Sequence, residues 1–238
     1  MTRYHGGKQR IGKIIAELLT QKVKETDIEI EGYCEPFCGM LGVYQHIPQY
    51  FEERQMSYKA GDTNESVIMM WQQAQKGWIP PISCSEEKYN ELKNQEAPSA
   101  EKGYIGHQYG FGGGYFNSFV CKYDEPIVQK KPSERVCKIA NELKDVEFIY
   151  GSYTQFSNLR NHIIYCDPPY ANTKCNYLEK FDSNSFWEWV REMSMTNVIF
   201  VSEYTAPDDF ECVYERNKKV RVCHDKVASG CEKLFMKI

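Results

Sequence analysis

Apolar positions along the chain recur with two periods, and the switches between them lay out an alternating order of helices and strands. Over residues 10–24, Ile11, Ile14, Ile15, Leu18 and Leu19 fall at helical spacing. Residues 28–34 read as a strand that runs into Glu35-Pro36-Phe37-Cys38-Gly39-Met40-Leu41-Gly42. A helix is expected from about Val43, and a second strand over 56–61 delivers Asp62. Strand, glycine turn, helix, and a strand closed by an acid make up the first half of a nucleotide-binding α/β unit. Further helices are expected over 86–94 and near 133–144. Further strands are expected over 147–150, 162–166, 197–201 and 233–236.

The middle of the chain breaks this rhythm. From Gly103 to Phe116, six glycines and five aromatic residues fall within fourteen positions, a composition read here as neither regular helix nor good strand. The expected organisation is a core of residues 1–76 and 133–238 interrupted by a small lobe over 77–132. The fold class is α/β, a Rossmann-like sheet with helices on both faces and that inserted lobe.

Composition narrows the function. A length of 238 residues suffices for one core with a small insertion. Hydrophobic residues at 42% and charged ones at 26% argue against disorder. The longest apolar runs, such as 197–201, are strand-sized and too short for a bilayer, and no secretory leader is recognisable, so an intracellular address without membrane attachment is expected. Ten cysteines are present, but no Cys-x-x-Cys occurs and no His pair completes a zinc spacing, so free thiols and no metal are expected. The net charge of −4 counts mildly against nucleic acid as a partner. Local balance is compatible with such a partner, as it is in many proteins: Arg3, Lys8, Arg10, Lys13, Lys22 and Lys24 face only Glu17 in residues 1–24, and a second basic run covers 214–226.

The strongest chemical signal is His162-Ile-Ile-Tyr-Cys-Asp167-Pro168-Pro169-Tyr170. A hydrophobic strand delivers an acid to its carboxyl end, where open α/β sheets bind ligands. Two prolines then fix a non-helical path and remove two amide donors, leaving carbonyls free to accept from a substrate amine. Tyr170 adds a flat face. Asp-Pro alone would be explained by a proline turn with Asp167 as a helix cap; the whole tetrapeptide after a buried strand favours acceptance of an exocyclic amine on a planar base. Gly39 and Gly42 permit a tight turn, and Asp62 lies about 20 residues beyond Gly42, the offset of an acid that grips ribose hydroxyls. Gly-x-Gly-x-x-Gly is absent, which counts against a dinucleotide oxidoreductase.

These motifs together resemble the Dam-type (D12 class) N6-adenine DNA methyltransferases, especially short phage and viral members. Tyr4-His5-Gly6-Gly7-Lys8 is similar to the family's aromatic-x-Gly-Gly-Lys motif, and Glu35-Pro-Phe-Cys-Gly-Met-Leu-Gly-Val43 to its cofactor loop. Gly61-Asp-Thr-Asn64 resembles its ribose turn and Asp167–Tyr170 its catalytic tetrapeptide. Ser202-Glu-Tyr-Thr-Ala-Pro207 and Glu232-Lys-Leu-Phe235 look like further stretches of the phage-type members.

The resemblance implies a site-specific enzyme that moves a methyl group from S-adenosyl-L-methionine to adenine N6 in double-stranded DNA, as in restriction-modification. Its catalytic residues would be Asp167, Pro168, Pro169 and Tyr170. Cofactor contacts would come from Tyr4, Gly7, Lys8, Glu35, Phe37, Gly39, Gly42, Asp62, Asn64 and Asp167, with Tyr4 and Lys8 at the methionine and sulfonium end. The insertion occupies the place of the target-recognition region. Tyr109, Phe111, Tyr115 and Asn117 are candidate base contacts, unless the glycine-rich stretch is instead a lid over the cofactor. Lys122, Lys130, Lys131, Lys218, Lys219 and Arg221 are candidate phosphate contacts. The turn Gly151-Ser-Tyr-Thr-Gln155 departs from the family in lacking an acid before the catalytic strand. Rival readings are the same chemistry on cytosine N4 or on RNA, and a silent DNA-binding module. A cytosine-C5 enzyme is disfavoured because no Pro-Cys dipeptide occurs.

Overall fold

A computed structural model describes residues 2–51, 56–120, 128–170, 181–223 and 226–237, with backbone alone over 217–230. Parallel strands β1 (Gly32–Glu35), β2 (Ser57–Asp62), β3 (Glu147–Tyr150), β4 (His162–Cys166) and β5 (Val198–Glu203) join a long hairpin of β6 (Phe210–Cys223) and β7 (Lys226–Lys237). The sheet order is β3-β2-β1-β4-β5-β7-β6, with β7 antiparallel to both its neighbours. Helices are α1 (Gly12–Val23), α2 (Glu65–Gln75), α3 (Glu86–Asn94), α4 (Ala100–Gln108), α5 (Lys130–Glu142) and α6 (Ser183–Met193).

The alternating residues of each strand feed two cores. Tyr33, Ile163, Tyr165, Val198 and Phe200 point to a large cluster covered by α1, α2, α4 and α5. Cys34, Ile164, Cys166, Ile199 and Val201 point to a second one, roofed by Phe186, Trp187, Trp189 and Val190 of α6. Helices therefore cover both faces, as the doubly wound pattern requires. No helix among the described residues is long and apolar enough to cross a membrane.

Two expectations from the sequence are corrected. The helix from Val43 is replaced by two short 3-10 turns, Tyr44–His46 and Pro48–Tyr50. Pro48 has no N–H to give to a carbonyl four residues back, and its ring clashes with that turn, so an α-helix cannot pass it. The second correction concerns Gly103–Phe116, whose first part is helix α4. Ser99 caps it by accepting from the Lys102 amide. A mid-helix glycine costs about 1 kcal/mol relative to alanine. Here close approach to α2 offsets that: a Cβ at Gly103 would run into the Ser66 carbonyl oxygen, and one at Gly106 into Tyr115 and Phe116. Gly103→Ala is therefore expected to cost about 3 kcal/mol of stability in urea denaturation, against gain from propensity alone if the contact is unimportant.

The same packing ties α3, α4 and the turn after α4 to the core. Tyr89 and Leu92 of α3, Tyr104 and Ile105 of α4, and Tyr109 and Phe116 beyond it belong to the large cluster of buried side chains.

Candidate active site

The carboxyl ends of β1, β2 and β4 meet the N-terminal segment of the chain. Beyond β1 the glycine loop is fastened to β2: the Cys38 amide donates to Gly61 O at 2.8 Å and the Gly39 amide to Asp62 Oδ2 at 3.0 Å. The other oxygen of Asp62 accepts from the Asn64 amide at 2.8 Å, and Trp71 Nε1 donates to Gly39 O at 2.9 Å. Gly39 has a positive φ of 43°, and a Cβ there would lie 2.7 Å from the Tyr4 ring. Gly42 lies against the backbone of Lys8 and Gln9, and Gly12 against the Gly42 carbonyl. The loop glycines thus admit the N-terminal turn. Gly7 lies under the Gln9 side chain. Glu35 is enclosed, accepting from Tyr33 OH at 2.7 Å, with burial pushing its carboxyl well above the usual range. Phe37 packs on Tyr153 at 5.9 Å and Phe186 at 5.7 Å. Tyr153 comes from the turn that lacks the family's acid.

Burial raises the Asp62 carboxyl to about 6, against the pull of the amides of Asn64, Gly39 and Thr63. A ribose hydroxyl needs the ionised form as acceptor. Cofactor affinity measured by calorimetry is accordingly expected to be flat above about pH 7 and to weaken, at most about tenfold per unit, as pH falls below 6. An affinity unchanged down to about pH 5 would remove Asp62 from cofactor binding.

At the end of β4, Asp167 meets a residue from the other end of the chain. Lys8 Nζ lies 2.6 Å from Asp167 Oδ1 and 3.0 Å from Glu232 Oε1. Lys8 is only 5% exposed. Its ammonium sits 5.0 Å over the Tyr170 ring, whose hydroxyl donates to Glu232 Oε1 at 2.9 Å. Burial alone would lower Lys8, but Asp167 and Glu232 outweigh it and keep the ammonium charged. Asp167 is shifted upward by burial and by the like charge of Glu232, with Lys8 opposing. Tyr165 of β4 accepts from or donates to Ser202 of β5 at 2.8 Å beneath this cluster. Asp167, Lys8 and Tyr170 are thus brought together, and Glu232 joins them. In the sequence Glu232 stands out only within a stretch that resembles phage-type members, because no spacing rule links residue 232 to residue 8.

The D12 class N6 adenine-specific DNA methyltransferase model matches residues 110–189. The match spans the glycine-rich turn, α5, β4 and Asp167–Tyr170, about a third of the chain, and names the same family as the resemblance read from the motifs. The match and the motifs thus point to the same family, and the sheet order is that of a Rossmann-like α/β fold. No curated protein matches in sequence. Among solved structures, TrmN from Thermus thermophilus aligns at 10% identity and TM-score 0.40 over 95% of this chain and 49% of its own. The chain therefore spans about half the length of that protein. The rRNA methyltransferase aviRa from Streptomyces viridochromogenes aligns at 9% and 0.38, over 93% of this chain and 84% of its own. The M protein of the type I restriction enzyme EcoKI aligns at 12% and 0.35, over 97% and 43%. Scores this low carry no weight beside the sheet order.

The residues present fit the cofactor of a D12-class enzyme. Two carboxylates around one ammonium leave a net negative cluster where a sulfonium cation would lie, and the loop end offers Asp62 and Asn64. Three rings stand in a row behind the N-terminal turn: Tyr4 is 4.5 Å from His107, which is 4.9 Å from Tyr115. His107 is buried, with Nδ1 3.0 Å from Gly113 O, and burial lowers its pKa to about 4, so it is neutral.

The candidate DNA contacts separate sharply. Tyr115 turns inward, its hydroxyl within reach of the Ser66 and Asn64 side chains. Tyr109 is fully buried, stacked 6.4 Å from Phe119, so the expectation that it meets DNA is corrected: as the residue that ends α4 it anchors the turn from within. Phe111 is 70% exposed at the apex, and Asn117 is exposed beside it, donating to the Phe111 carbonyl at 3.4 Å. That apex is fixed to the N-terminal motif, since His5 N donates to Gly113 O at 3.0 Å and Gly113 (φ 78°) abuts the Tyr4 backbone. Lys130 and Lys131 are exposed at the start of α5. Lys218, Lys219 and Arg221 lie on β6, where the backbone alone is described, and Lys122 is outside the described residues.

Proposed function

We propose that this chain transfers a methyl group from S-adenosylmethionine to the exocyclic N6 of an adenine flipped out of duplex DNA. The observation that carries this reading is Asp167 at the carboxyl end of β4, ion-paired to buried Lys8 and bordered by the Tyr170 ring.

S-Adenosylmethionine, when bound, supplies a methyl on a sulfonium, already activated for attack. Adenine N6 is conjugated into its ring and is a poor nucleophile. Asp167 and the Pro168 carbonyl accept its two hydrogens, drawing the amine toward tetrahedral geometry with a lone pair free for in-line attack. The methylated amine must shed a proton, and Asp167, already its acceptor and shifted upward by burial, is placed to take it. Tyr170 offers its face to the extrahelical base. Tyr4 and Lys8 border the sulfonium end, and Asp62 with Asn64 the ribose. Phe111 is the exposed aromatic at the apex of a turn anchored on the N-terminal motif, suited to stack on or wedge between bases. Lys130, Lys131 and the basic run on β6 supply phosphate contacts.

The test is transfer of labelled methyl to duplex DNA, single-stranded DNA and structured RNA, followed by nucleoside analysis. Label in N6-methyladenine from duplex DNA is expected. Label confined to N4-methylcytosine or to RNA would assign the other amine.

A further inference from the structure

The reaction proposed above gives Glu232 no task, yet Glu232 is built into its centre. Because β7 runs antiparallel beside β5, its early residues lie at the carboxyl end of the parallel strands; Glu203, the last residue of β5, pairs with Lys233. Glu232 is thereby set against Lys8, with its side chain 9% exposed. Lys8 has three N–H donors and three acceptors: Asp167 Oδ1 at 2.6 Å, Glu232 Oε1 at 3.0 Å and Gly6 O at 3.2 Å. The oxygen of Glu232 that faces Lys8 also accepts from Tyr170 OH.

This arrangement resolves a conflict in the proposed chemistry. The Asp167 carboxylate that must receive an amine hydrogen is also the one Lys8 grips most closely, through Oδ1 at 2.6 Å. Were Asp167 the only counter-ion, turning it to the base would strip a buried ammonium of its partner, which is strongly unfavourable. We infer that Glu232 is a positioning residue of the methyl-transfer reaction, the resident counter-ion that retains Lys8 while Asp167 engages the substrate amine and that fixes the Tyr170 ring. The inference rests on the methyltransferase reading. Ionisable groups acting on Asp167 are Lys8 from the N-terminal turn, Glu35 from β1, Tyr165 and Cys166 from β4, Tyr170, and Glu232 from β7. Of these, Glu232 carries the like charge that raises Asp167, against the pull of Lys8.

Glu232→Gln tests it, keeping the size and an acceptor for Tyr170 while removing the charge. The expected result is a kcat lowered about tenfold or more with KM for DNA and cofactor nearly unchanged, and an acid limb of kcat moved about one unit to lower pH. Glu232→Asp, which keeps the charge, should return the limb to its wild-type position with part of the rate. Wild-type kcat and limb in Glu232→Gln would overturn the inference. So would a lost rate with an unmoved limb and a lowered melting temperature, the signature of a structural brace. Should Glu232→Gln not fold, Glu232→Asp decides: transfer retained in part or in full with the acid limb in place supports the role, and a displaced limb or loss of transfer despite the retained charge overturns it. Absence of methyl transfer by the wild-type protein would sink the underlying reading instead, so the two failures are distinct.

Discussion

Asp167→Ala is expected to lower methyl transfer by about a thousandfold or more while leaving the protein folded. Loss of one well-placed acceptor or donor at a reacting centre typically costs two to three orders of magnitude, about 3–4 kcal/mol of barrier. In the proposed reaction the same side chain both orients N6 and receives its proton, so the upper part of that range applies. The fold survives for a reason visible in the cluster: without Asp167, Lys8 still has Glu232 at 3.0 Å and the Gly6 carbonyl. Circular dichroism and melting temperature close to wild type, with single-turnover transfer at background, are the expected pair of readings. Wild-type turnover in this variant would end the proposed mechanism.

Lys8→Met should behave in the opposite way, damaging the fold as much as the reaction. Removing the ammonium leaves Asp167 and Glu232 as like charges with little solvent. Breaking a buried pair from one side costs about 3–5 kcal/mol, less whatever is recovered by proton uptake. The pH dependence gives the sign. Burial and Glu232 already hold the Asp167 carboxyl above its ordinary value, and loss of Lys8 removes the pull that opposes them. The folded variant therefore binds more protons than the unfolded chain, and stability falls as pH rises through that interval. The deficit relative to wild type is therefore expected to be larger near pH 8 than near pH 5, as read from urea midpoints at each pH. A variant as stable as wild type at both would show that the Lys8 cluster does not hold this end of the sheet together. From the motif alone, Lys8 reads mainly as a cofactor contact. Its position between two carboxylates adds a structural role that the sequence cannot display.

What could be read from the chain follows how local each signal is. The strands at 147–150 and 162–166 and the helix over 86–94 agree with their sequence patterns because a short periodic run and a cap such as Ser85 suffice to define them. Strand β4 and the Asp-Pro-Pro-Tyr that follows it are equally local. Helix α4 defied its composition because the reason for Gly103 and Gly106 lies in α2 and in Tyr115, not in neighbouring residues. Tyr109 and Tyr115 looked interchangeable with Phe111 as exposed aromatics; only the tertiary fold sends two of them inward and leaves Phe111 out. Glu232 is the extreme case. It reaches Lys8 only because β7 passes between β5 and β6, a crossing that no residue near 232 announces. Cys34 and Cys38, the closest cysteine pair in the sequence, lie buried on β1 and its loop, where burial raises both thiols and keeps them unreactive.

The central claim is that Asp167–Tyr170 methylates adenine N6 at a defined sequence in duplex DNA. Plasmid recovered from a host expressing the protein, compared with plasmid from a host expressing Asp167→Ala, tests it most directly by modification-sensitive sequencing and nucleoside analysis. N6-methyladenine in one recurring sequence context is expected with the wild-type protein, and none with the variant. Plasmid from the wild-type host that carries no N6-methyladenine, or carries N4-methylcytosine in its place, would contradict it.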